Sequence, residues 1–184
     1  VDGHMSGHVE MHHVKGVDMS TGSLGQGISA AVGMALAGKL QKKDYRVYAI
    51  LGDGEIAEGQ VREAFMSAAK YQLDNLCATI DVNGLQIDGK TSDVMPSEPL
   101  DKKLEAFNWH VIKVDGHDYD ALEKAYQEAA TVKGQPTVVL AKTIKGKGVS
   151  FMENNAGWHG KAPNDEQLEQ ARAELEAKIR ELEG

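Results

Sequence analysis

The sequence is poor in cysteine, proline and aromatic residues, and it contains no long apolar run. Its one cysteine, Cys77, has no partner for a disulfide within the chain, so we expect a buried thiol in a reducing, cytoplasmic compartment. No apolar run approaches the length of a transmembrane helix and we find no signal-peptide pattern, so we expect no membrane partner. The net charge of −8 argues against nucleic acid as a partner.

What the sequence does contain is an alternation of strand and helix patterns over 184 residues, enough for one domain. Residues 1–5 (VDGHM) are typical of a remnant left by an expression vector, so we assign residues 6–184 to the domain. Apolar runs predict strands at residues 47–51, 76–80, 109–114 and 137–142. Helical patterns end near residue 40, cover residues 60–71, 100–107 and 120–131, and follow residue 163. This alternation predicts an α/β fold, a doubly wound and mainly parallel sheet with helices on both faces.

Two of the predicted strands lead into residues suited to bind a metal. The run at 47–51 is followed by Gly52, Asp53 and Gly54 and then by a helical pattern, which predicts a buried parallel strand and a crossover helix. The run at 76–80 leads to Asn83. Ligands bind outside the carboxyl ends of such strands, so Asp53 and Asn83 share one crevice if the strands are neighbours. Their oxygens suit Mg²⁺ or Ca²⁺ held together with a phosphorylated ligand, although an acidic glycine-rich turn alone is more often a plain loop.

Two further stretches each allow two interpretations, and a third contains a group of histidines. Residues 20–27 (STGSLGQG) open a helix that Ser20 and Thr21 are suited to cap. This stretch either binds an anion at the helix N-terminus or serves close packing only. Residues 143–148 (TIKGKG) either attract phosphate or form a solvated turn. His8, His12 and His13 lie close together, but their spacing matches no standard zinc pattern.

Several longer strings of the sequence resemble the transketolase family. One has the thiamine-diphosphate pattern, GDG followed by Asn thirty residues later: GDGEIAEGQVREAFMSAAKYQLDNLCATIDVNGLQIDG. Another resembles the cofactor-binding stretch of the family: STGSLGQGISAAVGMAL. Gly7-His8-Val9-Glu10 is similar to the family's Gly-His-Pro-Glu, with Val in place of Pro. The resemblance covers the chain after Met5 but only the diphosphate-binding domain of a transketolase, and the family's upstream helices have no counterpart before His8.

The resemblance implies roles for individual residues. The metal would be held by Asp53, Asn83 and the backbone carbonyl of Leu85. His8 would contact the sugar, and Glu58 would point across a subunit boundary toward a partner glutamate, with an ordinary helix-terminal acid as the alternative. For His159, contact with the diphosphate and a structural role at the start of the last helix both stay open, because Ala156 stands where many transketolases have another histidine. Residues implied to contact thiamine diphosphate are Gly22, Ser23, Leu24, Gly52, Asp53, Gly54, Asn83, Ile87 and His159.

The resemblance also implies a function. We expect the thiamine-diphosphate- and Mg²⁺-binding half of an enzyme that moves a two-carbon ketol unit between sugar phosphates. Its partners would be a pyrimidine-binding half and a second copy of the chain, and the isolated chain would be inactive or nearly so. One alternative is a cofactor-binding or dimerising module without turnover. Another is a related thiamine enzyme, either a deoxyxylulose-phosphate synthase or the thiamine component of a 2-oxo acid dehydrogenase.

Overall fold

A computed structural model describes residues 7–183, so the vector remnant predicted at residues 1–5 lies outside the described residues. Its main sheet is parallel and has the order β1-β2-β6-β5, built from β1 Val47–Gly52, β2 Leu76–Val82, β5 His110–Asp115 and β6 Thr137–Lys142. A short antiparallel pair, β3 Leu85–Gln86 and β4 Gly89–Lys90, follows β2. The helices are α1 Gln26–Leu40, α2 Gly59–Lys70, α3 Thr91–Val94, α4 Leu100–Ala106, α5 Tyr119–Thr131 and α6 Asp165–Glu183.

Helices cover both faces of the sheet, as the alternation of patterns predicts. On one face α1, α2 and α4 contribute Ile28, Phe65 and Leu104 to a core that includes alternate residues of the strands, such as Ile80. On the other face α5 packs Ala125 and Ala129 against the intervening strand residues. Successive strand side chains point to opposite faces, so a central strand such as β2 is buried on both. The predicted doubly wound α/β fold is confirmed.

Residues 47–51 form the predicted strand, but only one of its two faces is buried. β1 pairs only with β2 in the described sheet and is therefore an edge strand. Leu51 is buried, but Ile50 points to the opposite face and is 81% exposed. Tyr48 is also exposed, although its ring makes an edge contact with Tyr126 of α5. An apolar run does not distinguish an edge strand from a central one, because both contain the same residue types.

The prediction that Ser20 and Thr21 cap α1 is wrong. The residue before the helix is Gly25, which has a left-handed backbone (φ 79°) and no side-chain cap. A Cβ at this position would lie 3.0 Å from Cβ of Glu58, so both the conformation and the space favour glycine. Ser20 instead accepts a hydrogen bond from the backbone N–H of Met11. The N-terminal loop is therefore fixed by contacts distant from the helix start.

Cys77 is fully buried on β2, and burial raises the pKa of its thiol to about 11. This confirms the interpretation of Cys77 as a buried thiol.

Between residues 7 and 183 we find no helix whose length and apolar character would let it cross a membrane.

Candidate active site at the carboxyl edge of the sheet

The parallel pairing of β1 and β2 places their carboxyl ends side by side. Gly52 is in register with Asp81, and the next residue, Asp53, donates its backbone N–H to the Asp81 carbonyl (3.2 Å). The loop after β2 then turns back, so that the N–H of Gly84 donates to Oδ2 of Asp53 (2.6 Å). The structure thus brings Asp53 into direct contact with the loop that carries Asn83.

Asp53 is a buried carboxylate with one oxygen left unpaired. It is 2% exposed, and its Oδ1 has no hydrogen-bond partner among residues 7–183. Burial raises the pKa of Asp53, and the negative charge of Asp81 acts in the same direction. The hydrogen bond from the backbone of Gly84, the nearby backbone N–H of Gly54 and the positive charge of Lys142 oppose this rise. Because a buried, unpaired carboxylate oxygen costs free energy, a cation bound to Oδ1 would stabilise the folded protein.

The side-chain amide of Asn83 is held at both ends. Its Nδ2 donates to Oδ2 of Asp81 (3.0 Å), and its Oδ1 accepts from the N–H of Leu85 (2.9 Å). An amide oxygen has two lone pairs, so Oδ1 keeps one for another partner. Leu85 begins the β3–β4 hairpin directly beside this amide.

These donors fit a hard divalent cation better than a soft one. No cluster of three or more His, Cys, Asp or Glu side chains in the described part of the chain is arranged to hold a metal. The predicted set of Asp53, Asn83 and the Leu85 carbonyl is of another kind, with one carboxylate and two neutral oxygens. Mg²⁺ commonly binds through a few protein oxygens and takes the rest from phosphate and water. The unpaired Oδ1 of Asp53 is the observation that fits such an ion.

Glu55, which the sequence patterns did not single out, connects the glycine-rich stretch at residues 20–27 to the tip of β1. Its Oε1 accepts from the N–H of Gly25 (2.9 Å), and its Oε2 accepts from the N–H of Gly52 (3.1 Å). One carboxylate therefore holds the loop before α1 against the first strand. The position of Glu55 directly after GDG could have indicated a role at this site. Its partner Gly25, however, lies thirty residues away in the sequence.

His8 and Glu58, which the resemblance gives catalytic roles at the sugar and at a partner glutamate, both lie against this glycine-rich stretch. A Cβ at Gly22 would lie 3.2 Å from Cγ of His8, so the imidazole packs directly on Gly22. Glu58 precedes α2 and has its Cβ against Gly25. Ser23 and Leu24 lie between these two contacts and are exposed. His8 and Glu58 thus both border the glycine-rich stretch, and their roles stay predictions.

The β3–β4 hairpin covers the GDG turn. A Cβ at Gly54 would lie 2.9 Å from Cβ of Gln86, which explains why glycine is needed there. Ile87 at the hairpin turn is 65% exposed, and Oε1 of Gln86 is buried without a hydrogen-bond partner in the residues the structure describes. Gln86 thus joins the hairpin to the GDG turn, and the contact of the exposed Ile87 side chain with the cofactor stays a prediction.

His159 lies in the loop that joins β6 to α6. The neighbouring Trp158 is held by a hydrogen bond from its Nε1 to the Phe151 carbonyl (2.9 Å), and Lys161 lies over its ring (4.9 Å from Nζ to the centroid). The imidazole of His159 is exposed and makes no hydrogen bond or ion pair with any residue in the range 7–183. Unlike Asp53 and Asn83, it is not joined to the strand tips by a bond in this structure.

A basic cavity extends the site along the carboxyl ends of β5 and β6. Its volume is about 560 Å³, and its lining includes Lys113, Lys142, Lys147 and His117. The ring of His117 accepts the N–H of Ile144 at Nε2 (2.8 Å), which fixes the start of the loop at 143–148. The sequence pattern indicated this loop but not Lys142 or His117, whose proximity depends on strand order.

Comparison with known proteins gives consistent results. A family model described as "Transketolase, thiamine diphosphate binding domain" matches residues 1–181. The 6-deoxy-6-sulfo-D-fructose transketolase subunit SqwG of Clostridium sp. (strain MSTE9) is 47% identical over 169 residues, 92% of this chain and 62% of that protein. An apulose-4-phosphate transketolase subunit of Phocaeicola vulgatus is 41% identical over 179 residues, 97% of this chain and 63% of that protein. The chain therefore spans about three fifths of these two relatives.

The fold also matches solved structures. The crystal structure of transketolase from Campylobacter jejuni superposes with a TM-score of 0.81 at 32% identity. The match covers 91% of this chain and 27% of that one. The similarity thus includes nearly all the elements described above.

Proposed function

The chain belongs to the transketolase family and matches its thiamine diphosphate binding domain, and from this we propose that it is the diphosphate-binding half of a ketol-transferring enzyme. The enzyme would move two-carbon ketol units between sugar phosphates in the cytoplasm. The observation that carries the proposal is the buried Asp53: its Oδ1 is unpaired among residues 7–183, and its Oδ2 accepts from the loop that carries Asn83. Thiamine diphosphate, when bound, supplies the carbanion chemistry, and the protein binds and orients it.

The residues of this chain fall into two groups in the proposed complex. Asp53, Asn83 and the carbonyl of Leu85 would hold Mg²⁺, or Ca²⁺ in its place, and the ion would neutralise the diphosphate. The N-terminal end of α1 favours the same anion through its dipole, with Gly22, Ser23 and Leu24 beside it. Lys142 adds a positive charge at the same edge, as its effect on the pKa of Asp53 indicates. Ile87 would supply an apolar contact for the thiazolium part.

His8 and Glu58 would act on the substrate side and the partner side, respectively. His8 would donate or accept a hydrogen bond at a sugar hydroxyl, which positions the substrate without activating the cofactor. Glu58 would meet a glutamate of the pyrimidine-binding half. The two relatives named above are called transketolase subunits, which supports a separate second subunit for this chain. We further propose that two copies of the chain associate within that assembly.

We propose that residues 1–184 on their own are inactive or nearly so, because they match the diphosphate-binding domain and a ketol-transferring enzyme also needs the half that would hold the pyrimidine ring. Misplacing a reacting group by about 1 Å can cost roughly a hundredfold in rate. An open site also loses the dry surroundings that strengthen electrostatic stabilisation. The chain can therefore bind thiamine diphosphate and still show no turnover by itself.

The test is an assay of ketol transfer from a ketose phosphate, with thiamine diphosphate and Mg²⁺, first with this chain alone. A pyrimidine-binding half of a transketolase is then added, and each half by itself serves as the control. We expect activity only in the mixture, and we expect Glu58→Gln to lower it without changing cofactor binding by this chain. Full activity of the isolated chain would contradict the proposal that ketol transfer needs both halves.

A further inference from the structure

Two polar residues outside the predicted site, Asp81 and Thr143, are joined to Asn83. Asp81 lies near the end of β2, and Thr143 directly follows β6. Oδ1 of Asp81 accepts the hydroxyl proton of Thr143, and Oδ2 accepts from Nδ2 of Asn83 (3.0 Å). Because the backbone N–H of Thr143 also donates to the Val82 carbonyl (3.2 Å), the neighbouring strand fixes where the hydroxyl lies.

This chain of hydrogen bonds determines which atom of the Asn83 amide faces Asp81. An ionised carboxylate can only accept hydrogen bonds, so the NH₂ group must face Asp81. The amide oxygen is then on the opposite side, where it accepts from Leu85 N–H (2.9 Å) and keeps a second lone pair. A hard cation binds an amide oxygen but not an amide NH₂. The orientation therefore matters for a metal, whereas packing alone would tolerate either.

We propose that Asp81 and Thr143 are positioning residues that present the oxygen of Asn83 to the divalent cation of the diphosphate site. The inference rests on the proposed function, since it takes the metal site as its premise. Partners that orient metal ligands commonly contribute about 10–100-fold to metal affinity. Loss of the Thr143 hydroxyl frees Asp81 to rotate, and the Asn83 amide is then held firmly only at its oxygen, by the N–H of Leu85.

The chain offers a matched control on the same strand. Thr137 begins β6 and is fully buried, and its Oγ1 has no hydrogen-bond partner within the described residues. Thr137→Val and Thr143→Val thus make the same chemical change at two ends of one strand. Only the second removes a hydroxyl that reaches Asp81. Thr143→Val is also preferable to Asp81→Asn, because it leaves the charge near Asp53 unchanged.

The experiment measures Mn²⁺ affinity in the presence of thiamine diphosphate, from the electron paramagnetic resonance signal of free Mn²⁺. The proteins are the wild type, Thr143→Val, Thr143→Ser and Thr137→Val. We expect Thr143→Val to bind Mn²⁺ about tenfold more weakly, with Thr143→Ser and Thr137→Val within about twofold of wild type. Urea unfolding without ligand identifies any variant that is simply unfolded. If Thr143→Val is unfolded, ¹⁵N NMR of the Asn83 side chain in Thr143→Ser replaces the measurement on that variant. We then expect an Asn83 NH₂ group that is protected from exchange with solvent.

The possible failures are distinguishable. Wild-type protein that binds no Mn²⁺ with the cofactor would overturn the proposed function and this inference with it. Wild-type binding that Thr143→Val retains in full would overturn the inference alone. Equal losses in Thr143→Val and Thr137→Val would also overturn it, because the effect would then come from β6 and not from the hydrogen bond to Asp81.

Discussion

Replacement of Asp53 by alanine tests the metal site most directly. Asp53 provides the only formal charge among the proposed ligands, and its Oδ1 has no partner in the residues that the structure describes. We expect Asp53→Ala to weaken the binding of thiamine diphosphate with Mg²⁺ by about a hundredfold, because the lost carboxylate ligand contributes at least as much as a hydrogen bond to a charged group, about 1.5–3 kcal/mol. Asn83→Ala removes a neutral ligand and should have a smaller effect.

The magnitude can be expressed as a thermal shift. Ligand at a hundred times its Kd stabilises the folded state by about 2.7 kcal/mol. For a domain of this size that corresponds to a rise in Tm of about 5–10 °C. At the same concentrations a variant that binds a hundredfold more weakly gains only about 0.4 kcal/mol, or roughly 1 °C.

The assay compares the ligand-induced shift and not the absolute Tm. Asp53→Ala also leaves the Gly84 N–H without its acceptor, which by itself costs about 1–3 kcal/mol. Asp44→Ala serves as the control, because Asp44 is an exposed carboxylate between α1 and β1. Chelator should abolish the wild-type shift. A shift that survives chelation, or one that Asp53→Ala retains in full, would refute the proposed metal site.

Four further predictions concern single contacts and association. Glu55→Gln places an NH₂ group against a backbone N–H of Gly25 or Gly52, so urea unfolding should show a loss of about 1–3 kcal/mol. The hydrogen bonds from Ser150 hold the pKa of Glu174 at about 2, so its contribution to stability is present above about pH 4.5 and is lost as the pH falls toward 2. The gap between wild type and Glu174→Gln in unfolding experiments should therefore close over that range, and a constant gap would count against the assignment. Cys77 should react with thiol reagents only on unfolding, and fast labelling of native protein would contradict its burial. Sedimentation at micromolar concentration should show a dimer, and a monomer would argue against self-association.

The sequence by itself determined the fold class and the composition of the strand tips. A run of apolar residues, a GDG turn and a helical pattern are local features, and each depends on residues within a few positions. The same is true of the Asn that follows β2. Such patterns specify which residues end the strands, because the backbone preferences of glycine and the periodicity of apolar residues act locally.

Only the tertiary structure decided how those residues are partnered. The exposure of Ile50 follows from the edge position of β1, which results from the strand order and not from the residues of β1. Glu55 meets Gly25 across thirty residues, and Asp81 meets Thr143 across 62. The first bond joins the loop before α1 to the turn after β1, and the second forms because β2 and β6, distant in sequence, end at one edge of the sheet. Whether an oxygen such as Oδ1 of Asp53 is left unpaired in residues 7–183 depends on that complete set of neighbours, which no local pattern contains.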